Sequence, residues 1–192
     1  MTATFGIGHN GGPQSSGAGF RAHCWRKARR ELLGANLPIE VVRQQVRRAK
    51  ALGLDYKTYA GVRATTGRDL VAFLYSTNAL GMFRLADQPD AMTLARMNTS
   101  VADRHLGVGP GLNAEKLRLA AHAVSATTLP PFGSSWGAMR AQLKSWLGDQ
   151  RLPADAVLMI GETDHEREMM AAAGFAGFLT GQRYFAGDTH AV

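Results

Sequence analysis

The densest group of side chains capable of chemistry in this 192-residue chain is Glu162, Asp164, His165 and Glu166, in the stretch GETDHE. Carboxylates at this spacing can share a hard cation such as Mg²⁺ through oxygen ligands. Acids at the start of a helix also complement its macrodipole without any ligand. Both readings stand, and the surrounding residues say where the group must sit. Directly before it, Val157, Leu158, Met159 and Ile160 form a short apolar run closed by Gly161, which suits a strand buried on both faces. Thr163 or Asp164 can cap a helix carried by Met169, Met170 and three alanines, and Gly174 is placed to end it. Residues 175–180 read as the next strand. Strand, acidic turn, helix and strand make a βαβ unit, and parallel sheets built from such units take ligands beyond the C-terminal ends of their strands. The acidic turn is therefore where a site belongs.

Residues 69–76, DLVAFLYS, give a second strong strand signal, ending in Ser76, Thr77 and Asn78. Other chemistry is missing from the sequence: it has no GxSxG, no HExxH, no paired Cys/His set and no Walker loop. The glycines of GIGHNGG near the N-terminus neither follow a strand nor open a helix, so they lack the setting of a phosphate loop, and His9 alone makes no metal site. Cys24 is the only cysteine, which excludes an internal disulfide and fits a reducing, cytoplasmic compartment. No apolar run reaches membrane-spanning length and no secretory leader is legible.

From residue 69 to 180 the pattern resembles the haloacid dehalogenase-like superfamily of Rossmann-like phosphotransferases. LVAFLYSTN is similar to that family's second motif, an apolar strand ending in Ser or Thr, which implies a phosphate contact for Ser76. VLMIGETDHE is similar to its fourth motif, which implies Mg²⁺ on Glu162 and Glu166 with Asp164 between them. The family's attacking carboxylate belongs on an earlier strand. The nearest candidate is Asp55 in GLDYKTY, where a Lys occupies the position of the motif's second acid. No Lys is well placed before the helix at 135–147 to serve as the third motif, since Lys116 belongs to the previous helix and Lys144 lies in mid-helix. The resemblance thus implies a degenerate member, because losing the nucleophile removes the phosphoaspartyl intermediate.

Charge is the other organising feature. The chain carries +7 overall, yet residues 21–68 hold twelve Lys/Arg against three acids. The basic character belongs to one segment. HCWRKARRELL reads as a helix with Arg26, Lys27 and Arg30 on its outer side. Pro38 suits the first turn of a second helix, in which Ile39, Val42, Val46 and Ala49 have core spacing and Arg43, Arg47, Arg48 and Lys50 fall on neighbouring faces. Asp55 can cap a third. Three short helices with a basic face could form a helix-turn-helix-like module that contacts nucleic acid or another polyanion. Such a face can also be merely solvated, or meet an acidic protein partner.

The chain is expected to divide into a flexible tail (1–20), a basic helical segment (21–68), a Rossmann-like α/β domain with a parallel sheet flanked by helices (69–185) and a short tail (186–192). Residues 105–111 read as a loop and 127–135 as a connector into a helix carried by Trp136, Met139, Leu143 and Trp146. The expected function is non-catalytic binding of nucleic acid or another polyanion. The alternatives are a Mg²⁺-dependent phosphatase-like hydrolase using Asp55, Ser76, Glu162 and Glu166, and a protein–protein adaptor. Apart from Mg²⁺ on the acidic turn, no cofactor is expected, and no membrane partner.

Overall fold

The computed structural model describes residues 37–186. Those from Arg43 onward form a single compact unit, and the first turn of the first helix lies outside it. The sheet is built on β1 (Ala72–Ser76), every residue of which is buried. A strand this apolar has no solvent face, so it belongs mid-sheet with helices above and below. β2 (Asp103–Val108) and β4 (Val157–Gly161) flank it, pairing in parallel with Ala72 opposite both Asp103 and Val157. β3 (Ser125–Thr128) and β5 (Gly177–Thr180) form the edges, giving the all-parallel order β3-β2-β1-β4-β5. This is the expected Rossmann-like α/β arrangement.

Side chains alternate along each central strand, which splits the core in two. Phe73, Tyr75, Leu158 and Ile160 face one layer, packed with α1 (Ile39–Leu52), α2 (Tyr56–Thr66), α3 (Ala91–Thr99), α4 (Ala114–Ala120) and α7 (Gly181–Phe185). Ala72, Leu74, Val157 and Met159 face the other, covered by α5 (Trp136–Gln150) and α6 (Asp164–Ala173). Fully burying one such aliphatic or aromatic side chain contributes about 1.5–3 kcal/mol. In the first layer Tyr75 donates to the Tyr184 hydroxyl at 3.0 Å, and Phe73 meets both rings edge-on. Burial pushes the Tyr75 hydroxyl well above its ordinary pKa, so it remains a neutral donor.

Several expectations change. Ala49, Leu52 and Tyr59 sit in the same core as Phe73 and Tyr75, so α2 and the body of α1 complete this domain's core and do not form a separate helical module. The buried stripe of α1 runs through Gln45, Ala49 and Leu52, leaving Val46 at 44% exposure. Residues 105–108, expected in a loop, belong to β2. Gly107 masks the strand signal, yet it is needed: a Cβ there would stand 2.9 Å from Leu129. β3 was hidden by its length of four residues and its polar composition. Trp136 is half exposed, while Met139, Leu143, Trp146 and Leu147 carry the buried face of α5. Residues 181–185, which close the expected domain, form α7 and bury Tyr184. The expected tail at 1–20, the first basic helix and, apart from Ala186, the expected tail at 186–192 lie outside the described residues.

Candidate functional site

The strand order reverses between β1 and β4. The chain leaves β1 toward the α3 layer and leaves β4 toward the α6 layer, which opens a crevice at the strand C-terminal ends. A cavity of about 520 Å³ lies there, with Asn78 and Glu166 at its base and Pro110, Leu129, Phe132 and His165 around it. Its walls are largely apolar side chains with a few polar groups, the usual character of a small-molecule site.

The acidic turn is built around Glu166, only 1% exposed. Thr163 caps α6 by accepting from the Glu166 backbone N–H at 3.2 Å. In return Glu166 Oε2 accepts the backbone N–H groups of Glu162 (2.7 Å) and Thr163 (2.9 Å). This is the reciprocal capping box that a T-x-x-E sequence encodes. The other oxygen, Oε1, accepts from Asn78 Nδ2 at 3.0 Å. Gly161 makes room, because a Cβ there would lie 2.7 Å from the Phe178 ring and 3.0 Å from Glu166 Oε2. Across the crevice Thr77 Oγ1 accepts from the Gly109 N–H at 3.0 Å, tying the β1 and β2 loops together.

The expected metal set does not converge. Glu166 is filled by three donors. Glu162 turns to accept the Gly181 N–H at 3.1 Å, and Asp164 projects fully into solvent. Among the described residues no three His, Cys, Asp or Glu side chains gather as a metal-binding group. The residues present therefore do not fit Mg²⁺. Ser76 is buried, with Oγ accepting the Ala79 N–H at 3.1 Å, and serves the β1 turn. Asp55 is not on a strand. It is the N-cap of α2, accepts from the Thr58 N–H at 2.8 Å, and lines a different cavity from Asn78 and Glu166. The structure does not join Asp55, Ser76 and the acidic turn into one catalytic centre.

His165 is anchored on the crevice wall. Its Nε2 lies 3.1 Å from the Pro131 carbonyl and 3.3 Å from that of Pro130, and its ring meets Phe132 edge-on at 5.5 Å. Two carbonyl neighbours require the proton to reside on Nε2, which leaves this nitrogen a donor and unsuited to act as a base. Phe132 itself is 92% exposed.

The basic residues separate by role. Arg43, Arg47 and Lys50, three or four residues apart on α1, are exposed. Arg48 is not on that face: its Nε donates to Asp69 at 2.8 Å and its Nη2 to the Leu70 carbonyl at 3.0 Å. Asp69 in turn accepts from the Tyr59 hydroxyl. Arg48 thus pins α1 to the entry of β1 and is a structural residue. Arg26, Lys27 and Arg30 lie outside the described residues. Sequence reading missed a further group: Lys57, Arg96 and Arg183 line a cavity together with Lys50. No spacing links positions so far apart in the sequence.

The fold is a doubly wound α/β domain with a crevice at its strand ends. Comparison with protein-family models, curated proteins and solved structures finds no match for this chain.

Proposed function

We propose that this chain is a non-catalytic, cytoplasmic binding protein that contacts nucleic acid, or a comparable polyanion, through the basic surface of α1. The observation that carries the reading is the division within that helix. Arg48 turns inward to pair with Asp69, whereas Arg47 and Lys50 stand exposed along one side, next to an exposed Arg43. Regularly spaced cations on a rigid helix suit phosphate contacts that position a duplex without reading its bases. Among the described residues no helix is long and apolar enough to cross a membrane.

The non-catalytic part rests on Glu166. A carboxylate already holding two backbone amides and Asn78 has little capacity left for a cation or a proton transfer. The likeness to haloacid dehalogenase-like proteins then reads as a degenerate member, a pseudoenzyme in which Asn78 and Glu166 bind one another. The test is twofold. A labelled generic duplex should bind with strong salt dependence, and an aryl phosphate supplied with Mg²⁺ should not be turned over. Mg²⁺-dependent phosphate release abolished by Asp55→Asn would replace this reading with a phosphatase. Absence of duplex binding at low salt, with a salt-sensitive protein partner, would replace it with an adaptor.

A further inference from the structure

Apart from the strand-end crevice, the domain holds a second cavity of about 550 Å³. Lys50 comes from the last turn of α1, Asp55 and Lys57 open α2, Arg96 comes from α3, and Arg183 and Tyr184 come from α7. Four lining side chains are cations and one is a carboxylate. That carboxylate is already occupied: Asp55 accepts the Thr58 N–H and hydroxyl, and Arg183 Nη2 lies 3.7 Å away. Partial burial alone would raise its pKa, but the Thr58 hydrogen bonds and Arg183 outweigh this and hold Asp55 below the usual carboxylate range. It remains an anion with its charge satisfied locally.

The cations are left in surplus. Arg96 Nη2 donates to the Gly53 carbonyl at 2.7 Å, and its guanidinium sits 5.6 Å from the Tyr184 ring centroid. A carbonyl and an aromatic face orient this group without neutralising it. Its Nε is buried with no hydrogen-bond partner, a costly state for a charged donor in a folded chain. Lys50 and Lys57 are exposed at the rim, and the Arg183 side chain is 60% exposed. Concave walls concentrate the field of such a surplus. Guanidinium forks match phosphate oxygens, and the first turn of α2 adds partial positive charge. Leu54, Leu179 and Tyr184 supply an apolar wall.

We propose that this cleft is a binding site for a phosphate monoester, with Arg96, Arg183, Lys50 and Lys57 meeting the phosphate and Leu54, Leu179 and Tyr184 taking the ester's apolar part. The cleft shares Lys50, but neither Arg43 nor Arg47, with the α1 surface of the polyanion reading, so a small phosphate compound can occupy it whether or not α1 meets nucleic acid.

Isothermal titration of the full chain in EDTA tests it, with phenyl phosphate, inorganic phosphate and phenol as probes. Phenyl phosphate should bind, more tightly than inorganic phosphate and more weakly as salt rises, while phenol should not. Lys57→Ala with Arg183→Ala should weaken phenyl phosphate at least about tenfold. Because Arg183 also touches Thr58 and Asp55, Lys57→Ala alone is the second variant, expected to give a several-fold loss at an unchanged melting temperature. The proposal is overturned if phenyl phosphate fails to bind, if phenol binds equally well, or if both variants retain full affinity. Arg43→Ala with Arg47→Ala should leave phenyl phosphate binding intact. Loss of duplex binding in that variant therefore reports on the other reading alone.

Discussion

Asn78 Nδ2 donates to Glu166 Oε1 at 3.0 Å, joining the turn after β1 to the first turn of α6 across 88 residues of sequence. The contact bridges the point where the strand order reverses, the place at which a doubly wound sheet ordinarily receives its ligand. It makes the crevice floor a closed polar network.

Glu166→Ala would strip the acceptor from two backbone amides and from Asn78. Leaving buried donors unpaired costs about 1–3 kcal/mol each where water cannot reach them. We expect an overall loss of about 2–4 kcal/mol in urea denaturation, with Asn78→Ala costing less. A double-mutant cycle should show coupling between the two. Additive effects would mean that the pair is incidental.

Gly161→Ala places a methyl group against the Phe178 ring and the Glu166 carboxylate. Overpacking of this kind typically costs about 1–3 kcal/mol. The same substitution at Gly137, where a Cβ meets nothing within 4 Å, should be neutral or slightly stabilising, because it lies inside helix α5. Thermal melts of the two variants make the comparison.

Arg48 and Arg47 are neighbours in sequence with opposite roles. Arg48→Ala should lower stability by about 1 kcal/mol and leave duplex affinity nearly unchanged, since the Asp69 pair is part-exposed and only its hydrogen-bond network adds to a modest ion-pair gain. Arg47→Ala should leave stability unchanged and weaken duplex binding. The reverse pattern would place the binding face elsewhere.

His105 gives the pH dependence. It is 3% exposed, with Nδ1 at 2.8 Å from Ser125 Oγ and its ring edge-on to Trp146. Burial lowers its pKa below the ordinary 6.5, against a smaller opposing effect of Asp103. The unfolded chain therefore binds this proton more readily. His105 has no effect on stability above about pH 6.5, and stability is lost as pH falls from there toward the lower folded value. Melting temperature should fall as the pH drops below about 6.5, and His105→Gln should flatten that slope. An equal slope in the variant would assign the pH effect to other groups.

The central strands and the acidic turn were legible because each is a local signal. β1 and β4 are continuous apolar runs, and T-x-x-E specifies its own capping box. What could not be read was set by distance in the chain. Glu166 resembles a metal ligand until Asn78 is brought to it from 88 residues away. Arg48 looks like its basic neighbours until Asp69 meets it. β2 was obscured by Gly107, whose reason is Leu129 on another segment. The four cations of the cleft come from four helices that no local pattern connects.

Polyanion binding through α1 can be measured by fluorescence anisotropy of a labelled generic duplex, titrated with the protein at several salt concentrations. Binding should be tight at low salt and fall steeply as salt rises. Arg43→Ala with Arg47→Ala should reduce the slope of log affinity against log salt by about one for each cation withdrawn from a phosphate. No binding at low salt, or a slope unchanged in the variant, would contradict a polyanion-binding role for α1.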